Sequence, residues 1–243
     1  LSPPQRDIWL DQLRAPQGLQ NCLGWAARLP VALDPSRWQQ AVSRVVAQYD
    51  ILRTRIKNSS KPFLAPAYQV VYRAGVEDVS FVDIKLEAAD EAALHKVLNA
   101  HIYRPVDLSS QPLVRYGLIR IGDGESVPFI AAHHLALDGQ GLAELMSRVC
   151  EAYDHLADES ASVAPAPRDV YGDYSRSAMS SFDQPQSLNY WRERTGDCEA
   201  LDFSALGTVA AEAEPGAAAE HRLAIPEAHD IAVRTLCRAN GAT

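Results

Sequence analysis

Residues 112–134 have the sequence PLVRYGLIRIGDGESVPFIAAHH, in which two apolar runs flank the turn signal GDGE. The runs are rich in β-branched residues, and the Gly and Asp residues between them favour a tight turn. We expect a β-hairpin whose second strand ends in two adjacent histidines, His133 and His134. Residues 139–156 return to apolar positions at helical spacing, so the histidines should lie between a strand and a helix.

The rest of the chain alternates between helical and strand patterns. Ser2 and Gln5 form a capping-box signature around Pro3, which predicts a helix at the start of the chain. Asp34 followed by Pro35 predicts a second helix, with an apolar face of Trp38, Val42, Val45, Val46 and Tyr49. Further strands are expected at 21–30, 68–73 and 79–84, a helix at 87–103, helical spacing again at 232–243, and connections at 157–169 and 204–220.

Composition narrows the class of protein. The chain has 243 residues, 47% of them hydrophobic, which is enough to bury a substantial core. Its net charge of −8, without a basic run, argues against nucleic acid as a partner. No apolar stretch reaches the roughly 18 residues of a membrane span, and the start lacks the features of a signal peptide, so we expect no membrane partner and a cytoplasmic location. The cysteines, which show no CxxC spacing and are expected to be reduced thiols, are Cys22, Cys150, Cys198 and Cys237.

The pair His133 and His134 has three interpretations. Both could be core histidines satisfied by backbone groups. A metal site is the weakest interpretation, because no second His or Cys cluster would complete a coordination shell. Adjacent side chains on an extended segment point to opposite sides, so the third interpretation has one histidine packing inward and the other facing a cavity as a catalytic group.

The segment HHLALDG, residues 133–139, resembles the HHxxxDG motif of the condensation domains of nonribosomal peptide synthetases. These domains belong with the chloramphenicol acetyltransferase-like acyltransferases. Other segments are similar to further family motifs and occur in the family's order; they are LSPPQRDIWLDQL (1–13), AQYDILRTRI (47–56), RPVDLSSQPLVRYGLIRI (104–121), YGDYSRS (171–177) and YWRERTGD (190–197). The first histidine is not replaced by Asp, as it is in heterocyclising relatives, so a condensing member is favoured.

The resemblance implies an α/β fold, the chloramphenicol acetyltransferase-like N-terminal subdomain, with a mixed sheet packed with helices. Motifs of the family's second half have no counterpart. The implied division is therefore an N-terminal subdomain at 1–203 that carries HHxxxDG, and a linker with the start of a truncated C-terminal subdomain at 204–243. Since the channel of that architecture lies between two halves, weak or absent activity is implied for this chain alone.

The resemblance also implies a reaction and its residues. An acyl group would pass from a thioester on a donor carrier protein to the amine of an acceptor aminoacyl carrier protein, forming an amide in antibiotic-type secondary metabolism. His134 would be the catalytic base and the N–H of Gly139 would face the reacting carbonyl. His133 would pack or hydrogen-bond the loop, and Asp138 would pair with Arg53 to hold it.

The same resemblance implies that the chain binds no cofactor or metal of its own. Phosphopantetheine arms would arrive on the carrier proteins, and an adenylation domain and the missing C-terminal half would be further partners. Two alternatives stay open: a coenzyme A-dependent acyltransferase of the same fold, and a non-catalytic gatekeeping or docking domain.

Overall fold

The predicted hairpin forms the centre of the sheet. The computed structural model describes residues 1–59, 67–73, 80–87, 91–157, 171–181, 184–199 and 223–242. Strands β5 (Val114–Ile121) and β6 (Glu125–His133) pair antiparallel, from Val114 opposite Ala132 to Ile121 opposite Glu125. Gly122 begins the turn with φ of 55°, a left-handed backbone that suits glycine. Both strands are buried along almost their whole length, so both faces of this hairpin are covered.

Two further strands extend the hairpin into a mixed sheet. The order is β1 (Cys22–Ala26), β6, β5 and β4 (Ser80–Leu86). β4 runs parallel to β5, whereas the other pairs are antiparallel. A separate antiparallel pair consists of β2 (Thr54–Asn58) and β3 (Ala67–Val71), of which only the second was predicted from the sequence.

Helices α2 (Pro35–Gln48) and α4 (Gly139–Ala157) cover one face of the sheet. Asp34 caps α2 by accepting a hydrogen bond from the Arg37 N–H at 2.8 Å, as predicted. The predicted apolar face is confirmed for four residues, while Tyr49 ends the helix and is only partly buried. The buried side chains of α2 and α4 in this core cluster are Trp38, Ala41, Val42, Val45, Val46, Leu142, Leu145, Met146, Val149, Ala152 and Tyr153.

Helix α3 (Glu91–Ile102) covers the opposite face. Leu94 and Ile102 pack there against Phe129 and neighbouring strand residues. A methyl group at Gly117 would lie 2.2 Å from the Phe129 ring, so a larger residue at this position on β5 would displace the ring. The sheet therefore lies between two helical layers, which explains why its central strands are buried on both faces.

The remaining helices lie at the two ends of the chain. Helix α1 (Pro3–Arg14) begins with the predicted capping box. The chain divides into two compact units after residue 200. The first also contains α5 (Tyr171–Ser181) and α6 (Pro185–Thr195), which were not predicted from the sequence, and the second contains α7 (Glu227–Ala239), which overlaps the predicted helical spacing. Apart from Ala157, the last residue of α4, the predicted connections at 157–169 and 204–220 lie outside the described residues.

None of the helices in the described ranges combines the length and the apolar character needed to traverse a bilayer.

Candidate active site

The two histidines lie where β6 ends and the chain turns toward α4. His133 is the last residue of β6, a turn covers residues 134–136, and α4 begins at Gly139. His133 is 1% exposed, whereas His134 is partly exposed. Because consecutive residues of an extended segment point to opposite sides, one imidazole is enclosed and the other reaches the surface.

Both ring nitrogens of His133 have hydrogen-bond partners. Nδ1 accepts from the Leu135 N–H at 3.2 Å, and Nε2 lies 3.1 Å from Oε1 of Gln12 on α1. Burial lowers the pKa of His133 to about 4, and the neighbouring charges of His134 and Arg115 act in the same direction. His133 is therefore neutral at pH 7 and neither nitrogen is free to move a proton.

The imidazole of His134 is the available one. Its backbone N–H donates to the carbonyl of Asn21 at 2.9 Å, which ties the turn to the segment before β1. Its ring makes no hydrogen bond with the described part of the chain. This ring is therefore open to hydrogen bonding with a bound substrate.

Asp138 caps the N-terminus of α4. Its Oδ1 accepts from the Gly141 N–H at 2.7 Å, and its carbonyl accepts from the Leu142 N–H at 2.9 Å. Aspartate is favoured at this position because its carboxylate satisfies N–H groups that the first helical turn leaves unpaired. The carboxylate thus fixes the end of the histidine loop through the helix.

The expected pairing of Asp138 with Arg53 is wrong. The guanidinium of Arg53 pairs instead with Asp50 at 2.5 Å, within the 3₁₀ helix Asp50–Arg53. It also donates to the carbonyls of Val46 and Tyr72. Because Asp50 is three residues before Arg53 in a tight helix, it is the nearer carboxylate, and Arg53 therefore joins the end of α2 to the segment after β3.

Gly139 does not need the conformational freedom of glycine. Left-handed backbone occurs among the described residues only at Gly122 and Gly241. A Cβ at Gly139 would meet nothing within 4 Å. Its N–H occupies the first position of α4, where the helix supplies no acceptor, so its role toward a reacting carbonyl stays a prediction.

Two glutamines that support the loop were not predicted from the sequence. Gln5 donates from Nε2 to the carbonyl of Leu135 at 2.9 Å, and Gln12 bonds His133. Together with Trp9 they are buried, at spacings of four and three residues on one face of α1. A search for polar residues on predicted buried helical faces would have indicated them.

The described residues contain no group of three or more His, Cys, Asp or Glu side chains arranged to hold a metal ion. A cavity of about 460 Å³ lies beside α1, against Trp9, Gln12 and Val106. Neither histidine belongs to the described lining of this cavity. The loop itself presents the imidazole of His134 and the backbone N–H of Gly139.

Comparison with protein families identifies the family of the chain. The family model described as Condensation domain matches residues 1–243. The chain belongs to the condensation domain family. The resemblance expected from the HHLALDG segment is confirmed.

Several synthetases contain regions similar to this condensation domain. One protein of the linear gramicidin synthase of Brevibacillus parabrevis is 28% identical over 250 residues, covering 100% of this chain and 3% of that protein. An isonitrile lipopeptide synthase of Mycobacterium tuberculosis is 31% identical over 206 residues, covering 79% and 8%. Phosphinothricin tripeptide synthetase PhsC of Streptomyces viridochromogenes is 26% identical over 258 residues, covering 100% and 22%. The chain thus spans only a small part of these relatives.

Solved condensation domains share the fold. The starter condensation domain of rhizomide synthetase has a TM-score of 0.70 at 20% identity, covering 82% of this chain and 48% of that one. The first condensation domain of the calcium-dependent antibiotic synthetase, in complex with a substrate analogue, has a TM-score of 0.70 at 21% identity, covering 81% and 47%. The expected chloramphenicol acetyltransferase-like α/β fold is confirmed, and the chain spans about half the length of these structures.

Proposed function

We propose that this condensation domain forms an amide bond by acyl transfer and that His134 is its proton acceptor. The donor is an acyl group held as a thioester on the phosphopantetheine arm of one carrier protein. The acceptor is the α-amine of an aminoacyl group on a second carrier protein. The amine nitrogen attacks the thioester carbonyl, the C–N bond forms, the C–S bond breaks, and the donor arm leaves as a thiol.

One observation carries this proposal, namely the different surroundings of two adjacent histidines. His133 is enclosed and bonded at both nitrogens, whereas the ring of His134 is partly exposed and makes no hydrogen bond with the described residues. A structural imidazole is enclosed and bonded by the protein, as His133 is, whereas a partly exposed ring stays open to a substrate. The loop supports a free imidazole at a position fixed by its neighbours on either side.

The chemistry requires only a weak base. An α-amine has a pKa of about 7.7 to 8.0, so about a tenth of it is already neutral at pH 7. After attack the nitrogen is positively charged and must lose a proton before the intermediate collapses. An imidazole is suited to accept that proton, and general base catalysis of this kind contributes about 10² to 10⁴ in rate.

The start of α4 supports the developing negative charge. The N–H of Gly139 lies at the positive end of a 19-residue helix and has no acceptor within it. Donors fixed in this way stabilise an oxyanion without reorganisation during the reaction. Orientation of two tethered substrates adds to this effect, since correct positioning can lower a barrier by about 7 to 11 kcal/mol.

The partners proposed here are carrier proteins and the adenylation domain of a multidomain synthetase. Named relatives are synthetases of which this chain spans a small part, and this supports the kind of partner. Because the solved domains extend over about twice the matched length, we also propose that residues 1–243 transfer weakly without a second half.

A coenzyme A thioester is a second candidate donor. A starter condensation domain of rhizomide synthetase with 22% identity to this chain has been solved in complex with C8-CoA. The acyl group and the attacking amine would be handled in the same way. Only the group that delivers the thioester would differ.

Intact-protein mass spectrometry of the acceptor carrier protein tests these proposals. The protein used is a condensation domain of the length of the solved domains, with residues 1–243 as its first half. It is mixed with an aminoacyl-loaded acceptor carrier protein and with one of two donors, an acyl-loaded carrier protein or an acyl coenzyme A. We expect the acceptor to gain the acyl mass from the carrier donor, and to gain much less when His134→Ala replaces the wild type. Gain only from coenzyme A would favour the second candidate, and no gain from a panel of aminoacyl and fatty acyl donors would favour a gatekeeping or docking domain.

A further inference from the structure

The side-chain amide of Gln12 has only one possible orientation. Its Nε2 lies 3.2 Å from the carbonyl of Ala15 and 3.1 Å from that of Pro16. Carbonyl oxygens only accept hydrogen bonds, so the NH₂ group must face them. Gln12 is 5% exposed, and rotation of the amide would place its oxygen against two carbonyls and lose both hydrogen bonds.

The fixed amide dictates which nitrogen of His133 carries the proton. Oε1 of Gln12 faces Nε2 of His133 at 3.1 Å, and it also accepts from Nδ2 of Asn21 at 3.3 Å. An oxygen that can only accept requires a donor opposite it. His133 therefore has its proton on Nε2, and Nδ1 is bare.

An unprotonated Nδ1 can accept a hydrogen bond from the turn that follows His133. Nδ1 accepts from the Leu135 N–H at 3.2 Å, while Gln5 donates to the carbonyl of the same residue at 2.9 Å. The peptide groups on both sides of Leu135 are thereby fixed, directly after His134. The other tautomer would place an N–H against an N–H and open this turn.

We propose that Gln12 is a positioning residue: it holds His133 in the Nε2-protonated tautomer, and that tautomer fixes the turn that carries His134. The assignment of the tautomer depends only on the hydrogen bonds described above. Its consequence for acyl transfer rests on the proposed function.

The charges around His133 favour its neutral form. Cys22 lies opposite His133 on β1, and Arg115 on β5 shares its face of the sheet. His134 is the third titratable neighbour, and the carboxylate of Asp11 bonds Asn21, which in turn bonds Gln12 and not the ring. No carboxylate in the described part of the chain bonds the ring directly, so the single tautomer should persist from pH 8 down to about pH 5.

Nitrogen NMR of the ¹⁵N-histidine-labelled chain tests the proposal. In the wild type we expect a protonated Nε2 and a bare Nδ1 at His133, at pH 7 and at pH 5. Gln12→Glu has no N–H for the two carbonyls and places a carboxylate against Nε2, so Nδ1 should gain a proton below pH 6.5 and lose the bond to Leu135. Gln17→Glu, with the same charge change at an exposed position, should leave the His133 signals as in the wild type.

A wild-type ring protonated on Nδ1, or Gln12→Glu signals identical to those of the wild type, would overturn the proposal. If Gln12→Glu does not fold, Gln12→Met can replace it, because Met has a side chain of similar length without the amide. The wild-type spectrum still decides which tautomer His133 adopts.

Transfer assays separate this proposal from the proposed function. Gln12→Glu should transfer between about ten- and a hundred-fold more slowly than Gln17→Glu at pH 6, and should recover as the pH rises to 8, because His133 becomes neutral again. A merely destabilising substitution would not recover in this way. If the NMR spectra are as expected but no donor supports transfer, only the proposed function is contradicted. If transfer occurs but the Gln12→Glu spectrum is identical to that of the wild type, only the proposed tautomer is contradicted.

Discussion

Asp138→Ala should destabilise the chain by about 1 kcal/mol, the effect of removing a helix cap. The exposed carboxylate bonds the Gly141 N–H at 2.7 Å, and that N–H can turn to water once the side chain is gone. Loss of such a cap costs about 0.5 to 2 kcal/mol. Breaking a buried ion pair with Arg53 would instead cost about 3 to 5 kcal/mol, so the size of the loss distinguishes the two arrangements.

Urea unfolding of Asp138→Ala, Arg53→Ala and the double variant measures this directly. Because Arg53 pairs with Asp50, the two losses should add to within about 0.5 kcal/mol. Asp34→Ala is the matched control, since Asp34 caps α2 through a 2.8 Å bond to the Arg37 N–H, and its loss should be similar. A coupling energy above about 1 kcal/mol between positions 53 and 138 would refute the assignment of Asp138 as a cap.

Two further predictions concern the same loop, and a third concerns the length of the domain. The pKa of His133 falls from 6.5 to about 4 on burial, so the unfolded chain binds this proton more readily. The contribution of neutral His133 to the free energy of unfolding is complete above pH 6.5, and about 2 kcal/mol of this contribution should be lost between pH 7 and pH 5. Urea unfolding midpoints of the wild type and of His133→Asn, compared across this pH range, measure the loss. Midpoints that change equally with pH in the two proteins would contradict the prediction. Gly139→Pro removes the backbone N–H at a helix position that tolerates proline. This variant should transfer the acyl group about 10² to 10³ more slowly than Gly139→Ala, and equal rates would exclude the N–H of residue 139 as a hydrogen-bond donor to the oxyanion. Residues 1–243 alone should transfer more slowly than a domain of full length, as single-turnover assays of both would show.

The elements with strong local patterns were predictable. The hairpin combined two apolar runs with a glycine turn, and α2 combined a cap, a proline and one apolar face, so local sequence determined each element. The segment Thr54–Asn58 has charged residues at alternate positions and shows its strand character only through pairing with β3, which explains why β2 was missed.

The partners of the site were harder to predict, because they depend on tertiary contacts. The motif identified His133 and His134 as a pair, and strand geometry predicted that they differ. Nothing local indicated that Gln12 meets His133 across 121 positions of sequence. The error in the partner of Arg53 arose in the opposite way. The resemblance suggested a carboxylate distant in sequence, although Asp50 lies only three residues away.

Single-turnover rates of amide formation in His134→Ala and His95→Ala test the role of His134 most directly. His95 is an exposed histidine on α3, so its loss removes an imidazole without affecting the loop. If His134 accepts the proton, His134→Ala is slower by about 10² to 10⁴, while His95→Ala transfers like the wild type. Equal rates in the two variants would contradict the central claim that His134 accepts the proton.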